Sequence, residues 1–558
     1  MTDTLLQMVR SASVVDRFRD VAGMNQNKPF LVLHERETLT FAEALQKAEA
    51  FAASFQTRGV RPGQIVALML PTHPHAAPAF FGAMMMGAIP AFFPPLSTKQ
   101  DAPVFWASHG TLFRRIDVAM IVSDAHNIDL IAQFLPDFAD RCVDINAETL
   151  TAGFIQDAET EIACLQHSSG TTGLKKGVIL TQKMLLDHID NMAATLEITT
   201  EDKIVSWLPL YHDMGLIACL ILPALLGLTV VMLDPFAWVR RPAAFLDAIS
   251  LHKSTLCWLP NFAFQLLIRT ANPAATYDLS SMRMLIDCSE PCKTETLRAF
   301  ANRFAASGLR LGALQVSYAM AEAVFLVTQT HATSLPRCLT VDATALEQDG
   351  FVIPPAPASN TRNIISCGTP MRGVDIRILD IDGQSCPERT VGEIVIASAT
   401  LFSGYYGIDT ATPKLQNGWY RTGDRGFIDG DELFVTGRND DLLIINGKNI
   451  YAHDVEFCIN THCAVKAGRV VAIAPFNPRT GSQALVVIAE SEFTDQAEKD
   501  TLAQAIRQTV NAEFAVMPYE AMIVEPGWLV KTTSGKISRS ENVARYIANR
   551  PALQEDVQ

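Results

Sequence analysis

Repeated alternation of short apolar runs with helical patterns is the feature that most restricts how this chain can fold. Gly63–Met69, Val118–Ser123, Lys203–Ser206, Thr255–Leu259, Met284–Asp287 and Leu314–Ser317 read as strands, with helix-forming stretches such as Ala76–Ala88 and Gln182–Ala194 between them. Apolar runs of this kind, with little polar alternation, suit a sheet covered on both faces. The pattern predicts an α/β chain built on a largely parallel sheet. Thr40-Phe41-Ala42-Glu43 reads as a capping box, which starts a helix running to about Thr57. At 558 residues the chain is long enough for roughly three to four core-sized units.

The alternation changes character along the chain. Between His331 and Asn363 it is lost, and Pro354, Pro355 and Pro357 mark an irregular insertion. Val374–Leu379, Glu393–Ser398, Trp419–Asp424 and Glu432–Val435 then alternate as a smaller antiparallel unit. A fresh α/β pattern begins after Gly437–Asp441. The expected division is an N-terminal domain over 1–436, a hinge at 437–441 and a small C-terminal domain over 442–558.

Charge and composition exclude some classes of function. With 59 acidic against 45 basic residues the net charge is −14, which argues against a general nucleic-acid binder. The 11 cysteines include no Cys-x-x-Cys pair, so neither a zinc site nor a disulfide framework is expected, and a cytoplasmic location fits. The apolar run Leu216–Leu233 is broken by Pro223 and Gly227, so it reads as a buried helix and a core strand with no membrane span.

The chemistry concentrates in loops at strand ends. Gln166–Val178 gathers Ser168, Ser169, Thr171 and Thr172 as donors, Gly170, Gly173 and Gly177 for close backbone approach, and Lys175 and Lys176 for charge. That composition suits a polyphosphate cradle, and a solvated hairpin turn is the alternative. Trp207 to Gly215, with His212, Asp213 and Met214, follows one strand, and Pro260-Asn261-Phe262 follows a second. Cys288-Ser289-Glu290-Pro291 follows a third, and Tyr318-Ala319-Met320-Ala321-Glu322 a fourth. Polar clusters at neighbouring strand ends predict a shared crevice.

Together these stretches resemble the adenylate-forming superfamily of acyl-CoA synthetases, nonribosomal adenylation domains and luciferases. The likeness spans almost the whole chain: the Ser168–Gly177 loop, Tyr318–Glu322, Tyr420–Asp424, Gly437–Glu456 and Thr533-Ser534-Gly535-Lys536, in that order. Two positions depart from the usual pattern, Ala319 for glycine and Ala452 for proline. Ser206–Gly215, Asp278–Ser281, Pro260–Ala263 and the insertion ending at Ser366-Cys367-Gly368 are most similar to the fatty acyl-AMP ligases. The phosphate loop is closer to the general superfamily form.

The resemblance implies ATP-dependent activation of a carboxylic, expectedly fatty, acid to an acyl-AMP with loss of pyrophosphate. Transfer to the phosphopantetheine thiol of an acyl carrier protein would follow, with CoA as the alternative acceptor. It further implies that the 168–176 loop holds the β- and γ-phosphates and that Glu322 holds Mg²⁺. Ser289, Glu290, Pro291 and Tyr318 would enclose the adenine, Ala319 and Met320 would also belong to the ATP site, and Asp424 with Arg438 would take the ribose. Lys536 would neutralise charge between carboxylate and α-phosphate, with His212 as a second catalytic candidate. Trp207, His212, Asp213, Met214, Gly215, Asn261 and Phe262 would border the acyl group, and Asp440 would be the hinge. Read singly, Asp424 and Arg438 also suit a surface ion pair, Glu322 a helix cap and Lys536 a solvated turn. A non-catalytic nucleotide binder is the remaining alternative.

Overall fold

A computed structural model describes residues 11–96, 102–147, 157–158, 160–167, 176–331, 333, 335–357, 359–408, 415–445, 448–466, 468–477, 482–531 and 537–549. The predicted phosphate-loop residues Ser168 to Lys175, the Gly447 position and Lys536 lie outside the described residues.

Two large sheets carry the N-terminal part. In the nine-stranded sheet Leu314–Ala319, Met284–Asp287, Leu256–Leu259, Lys203–Ser206, Thr229–Met232 and Pro29–Leu33 lie side by side and parallel. Antiparallel strands finish both edges. The six-stranded sheet runs Cys142–Asp144, Val118–Ser123, Ile65–Met69, Ile89–Phe92, Ile162–His167 and Gly177–Thr181, and its last pair is an antiparallel hairpin. The mixed α/β architecture read from the sequence is therefore present.

The strand Ile65–Met69 shows why its sequence is continuously apolar. Val66 and Leu68 join the main core, whereas Ile65, Ala67 and Met69 join a second core on the opposite face of the sheet. Burying both faces removes any reason for polar alternation. The helix Phe41–Thr57 begins as its sequence predicts: the Thr40 N–H donates to Glu43 Oε2 at 2.8 Å, and the Glu43 N–H donates to Thr40 Oγ1 at 3.2 Å.

Register in the nine-stranded sheet positions the site. Leu259 is level with Asp287, and Asp287 with Val316. The chain therefore leaves Lys203–Ser206, Leu256–Leu259, Met284–Asp287 and Leu314–Ala319 along one edge, delivering Trp207, Asn261, Ser289 and Tyr318 to it. The apolar run after Gly215 is a wide-turned π-helix, Met214–Ile221, then Leu222–Leu226 and the strand Thr229–Met232. No helix among the described residues is long and apolar enough to cross a membrane.

The insertion is more regular than its sequence suggests. Cys338–Asp342 pairs antiparallel with Thr361–Ile365, and Val341, Val352 and Ile364 pack on Phe427 and Phe434. Beyond it an antiparallel sheet contains Val374–Leu379, Gly392–Ser398, Trp419–Asp429 and Glu432–Arg438. The C-terminal part has two cores of its own around Val470–Ile473, Val486–Glu490 and Glu520–Val524.

Two histidines, the buried His188 and the half-buried His453, couple this architecture to pH. His188 Nε2 accepts the Leu326 N–H at 3.1 Å, which requires a neutral ring, and burial pushes its pKa down to about 3. Burial likewise lowers His453 to about 4. Unfolding frees both rings to bind protons, so their stabilising contribution is complete above pH ~6.5 and is lost as pH falls toward those values. For His188 the expected loss at pH 5 is about 2 kcal/mol. Melting temperatures measured from pH 7 to 5 should fall, and His188→Gln should flatten that slope. An unchanged slope would refute the assignment.

Candidate active site

Asp424 is the centre of a hydrogen-bonded cluster. Antiparallel register sets it opposite Arg438, and Arg438 Nε donates to Asp424 Oδ1 at 2.9 Å. The Tyr318 hydroxyl, arriving from the nine-stranded sheet, donates to Asp424 Oδ2 at 2.5 Å. The Asp424 N–H is held by Thr422 Oγ1 at 3.0 Å. The Asp424 side chain is 7 % exposed and that of Arg438 59 %. An anchored carboxylate beside a half-open guanidinium can bind a diol and still exchange with solvent. Burial and the adjoining Asp424 charge push the Tyr318 hydroxyl well above its ordinary pKa, so it remains a donor.

Glu322 lies in a short 3-10 turn, Ala321–Ala323, and is half-buried. Val324, just after that turn, has φ 66° and ψ −56°, with Phe325 N–H bonded back to Ala323 O at 2.8 Å. A γ-turn centred on a buried β-branched residue is strained, and strain of this kind collects at functional sites. Tyr405 donates to Glu322 Oε1 at 2.9 Å, and Lys176 Nζ stands 4.9 Å from the Tyr405 ring centroid. Among the described residues no group of three or more His, Cys, Asp or Glu is disposed to hold a metal ion. A single carboxylate fits Mg²⁺ that arrives mainly on substrate phosphates.

The remaining strand-end residues meet in pairs. Ser289 has φ 72°, another strained position, and its hydroxyl lies 3.7 Å from Met214 Sδ. The Phe262 N–H donates to Glu290 Oε2 at 3.1 Å. Trp207 stacks on Trp238 with centroids 3.8 Å apart and planes 4° apart, and both rings contact the edge of Phe262. The loop around Ser289 to Pro291 thus adjoins an aromatic wall. Asn261 is buried at the start of the helix Asn261–Thr270.

Backbone packing fixes the Tyr211–Gly215 stretch. His212 N–H donates to Pro209 O at 3.1 Å, and Asp213 Oδ1 caps the Met214 N–H at 2.8 Å. A Cβ at Gly215 would stand 2.2 Å from Pro209 O, so only glycine fits. Gln166, just before the phosphate loop, donates from Nε2 to Tyr211 O at 3.0 Å. His212 is half-buried, with its ring 5.3 Å from that of Tyr211. Leu208 to Tyr211 also line an apolar cleft with Leu70, Phe92, Met232 and Phe236.

The hinge candidate Asp440 is exposed on the 3-10 turn Asn439–Asp441. Its neighbour Asp441 pairs with Arg539 at 3.0 Å. Pro291 is exposed, and Ala319 and Met320 are half-buried beside Tyr318. Sequence reasoning missed Tyr405 and Trp238. Gly404-Tyr405-Tyr406 reads as a turn, and Trp238 lies in a separate short helix, Pro235–Arg240. It also missed Lys293, whose Nζ is 2.6 Å from Asp454 Oδ1 in the C-terminal part.

Comparison with known proteins gives the family of the chain. Residues 18–406 match the family described as AMP-binding enzyme. A medium-chain-fatty-acid–[acyl-carrier-protein] ligase, JamA of Moorena producens, is 30% identical over 98% of this chain and 95% of its own. A putative acyl-CoA synthetase of Caulobacter vibrioides is 29% identical over 92% of this chain and 91% of its own. A structure from work on fatty acyl-adenylate ligases of E. coli and L. pneumophila superposes with a TM-score of 0.90 at 26% identity, covering 97% of this chain and 99% of the other. The chain belongs to the AMP-binding enzymes of the adenylate-forming superfamily and is most like their fatty acyl-AMP ligases.

Proposed function

We propose that this enzyme activates a fatty acid with ATP and passes the acyl group to the phosphopantetheine thiol of an acyl carrier protein. The observation that carries the reading is the junction of nucleotide loop and aromatic wall: Ser289 against Met214, and Glu290 on the Phe262 N–H, beside stacked Trp207 and Trp238. A carboxylate laid along that wall would point its head at the nucleotide. The carboxylate oxygen attacks the α-phosphorus, the bond from that phosphorus to the bridging oxygen breaks, and pyrophosphate leaves. A thiol then attacks the acyl carbon, AMP departs, and the thiol loses its proton.

In this reading Asp424 accepts hydrogen bonds from the ribose hydroxyls while Arg438 and Tyr318 hold it in place. Glu322 would hold Mg²⁺, which would offset phosphate charge. The 168–176 loop takes the β- and γ-phosphates, and Lys536 lies between the two anions. Ser289, Glu290, Pro291 and Tyr318 enclose the adenine. His212 borders the reacting carboxylate, and Asp440 is the pivot of the C-terminal domain.

Acid-dependent pyrophosphate exchange across fatty, aryl and amino acids tests the first step, with exchange expected for fatty acids. Failure of every acid while ATP still binds would favour a non-catalytic relative. CoA is the second reading, which the name of the Caulobacter relative supports. Thioester formation should be faster with a holo carrier protein than with CoA. Replacing residues 343–360, which join the paired insertion strands at Asp342 and Thr361, by a short turn should raise CoA-dependent thioester formation several-fold. A folded, adenylating variant with no gain would remove the insertion as the cause.

A further inference from the structure

Residues Phe402 to Tyr406 connect two parts of the site that belong to different sheets. On one side the Phe402 N–H donates to Glu322 O at 2.8 Å, and the Tyr405 hydroxyl donates to Glu322 Oε1 at 2.9 Å. On the other side Tyr405 bridges Val178, the Ile179 N–H donates to Gly404 O at 3.1 Å, and the Tyr406 N–H donates to Gly177 O at 2.8 Å. Gly177–Thr181 is the edge strand of the six-stranded sheet and directly follows the phosphate loop. Glu322 follows Leu314–Ala319 of the nine-stranded sheet.

The Tyr405 side chain makes the same connection chemically. Its ring faces the Lys176 ammonium at 4.9 Å, its hydroxyl holds Glu322, and the Tyr420 hydroxyl hydrogen-bonds to it. One side chain thus contacts the last cation of the phosphate loop and the carboxylate suited to a divalent cation. A hydrogen bond to an ionised carboxylate fixes orientation more strongly than a neutral one. Cation–π attraction holds Lys176 over the ring without neutralising it.

We propose that Tyr405 is a positioning residue for adenylation, fixing Glu322 for Mg²⁺ and setting the phosphate-loop exit at a constant distance from it. Engaging Oε1 fixes the orientation of the carboxylate, so Glu322 would need little reordering to hold Mg²⁺. This inference rests on the adenylation reading above.

Tyr405→Phe tests it, because the ring facing Lys176 stays and only the hydroxyl is lost. The Mg²⁺ concentration for half-maximal pyrophosphate exchange should rise about 5- to 10-fold. Calorimetric ATP affinity should weaken by a similar factor with Mg²⁺ and stay constant in EDTA. Electron spin resonance of Mn²⁺ with ATP should show the same weakening without turnover. Tyr405→Leu, which also frees Lys176, should in addition weaken ATP in EDTA. If Tyr405→Phe melts lower but keeps the metal dependence of the natural enzyme, Tyr405 is merely structural and the proposal is overturned. An unchanged Tyr405→Phe overturns it equally. If the natural enzyme shows no metal-dependent ATP binding or exchange, the adenylation reading itself fails.

Discussion

Lys536→Ala should lower acid-dependent pyrophosphate exchange by about 10²- to 10³-fold while leaving ATP affinity within a few-fold. The expectation rests on what such an ammonium can do. Carboxylate and triphosphate repel each other, and charge accumulates between them only as the new bond forms, so a cation there stabilises the transition state more than the ground state. The described residues show how the loop carrying Lys536 is anchored. Val530 N–H donates to Asn542 Oδ1 at 2.9 Å, and Asn542 Nδ2 donates to Val530 O at 2.9 Å and Ser538 O at 2.7 Å. Lys531 bridges Ile537, and the buried Glu490 accepts the Gly527 and Leu529 N–H groups at 2.9 and 2.8 Å. The chain on either side of Lys536 is therefore firmly held. Exchange within threefold of the natural enzyme would remove Lys536 from the chemistry.

Asp424→Ala should weaken ATP by roughly 10²-fold, from the loss of charge-assisted hydrogen bonds to the ribose. The substitution also strips two partners, leaving Arg438 without its carboxylate and the Tyr318 hydroxyl without its acceptor. Part of the loss would therefore come from a loosened Tyr318. Asp424→Asn separates the contributions, because the amide keeps an acceptor for Arg438 while losing the charge. Calorimetry with ATP should rank natural enzyme, Asn and Ala in falling order. If Ala binds ATP as well as the natural enzyme, the cluster is only an interstrand ion pair.

Legibility from sequence depended on how sharply burial was bounded. Lys203–Ser206, Met284–Asp287 and Val374–Leu379 lie where their apolar edges predicted. Thr361–Ile365 was illegible because its first three residues are Thr, Arg and Asn, which leave little apolar signal: Thr361 and Asn363 are exposed, and Arg362 between them is covered through its ion pair with Glu347. The π-helix was legible only as a buried helix, since Met214 to Ile221 are apolar on every side and leave no period to measure. The strand-end clusters could be read because each motif is local. Tyr405, Trp238 and Lys293 could not, since each acts through a partner distant in sequence: Glu322, Trp207 and Asp454.

The Lys293–Asp454 pair has a thermodynamic corollary. Lys293 stands two residues beyond Pro291, and both side chains of the pair are under 20 % exposed. The loop after Met284–Asp287 and the C-terminal part therefore share a desolvated contact, further seated by Lys293 over the Phe457 ring at 5.2 Å. A ligand whose affinity depends on the position of that loop, as proposed for the nucleotide, biases the seating of the C-terminal part by the coupling free energy between the two. By linkage, a domain held in this position changes nucleotide affinity by the same factor that nucleotide changes the domain's preference. Occupancy beside that loop and posture of the C-terminal part would, in this sense, be two readings of one equilibrium.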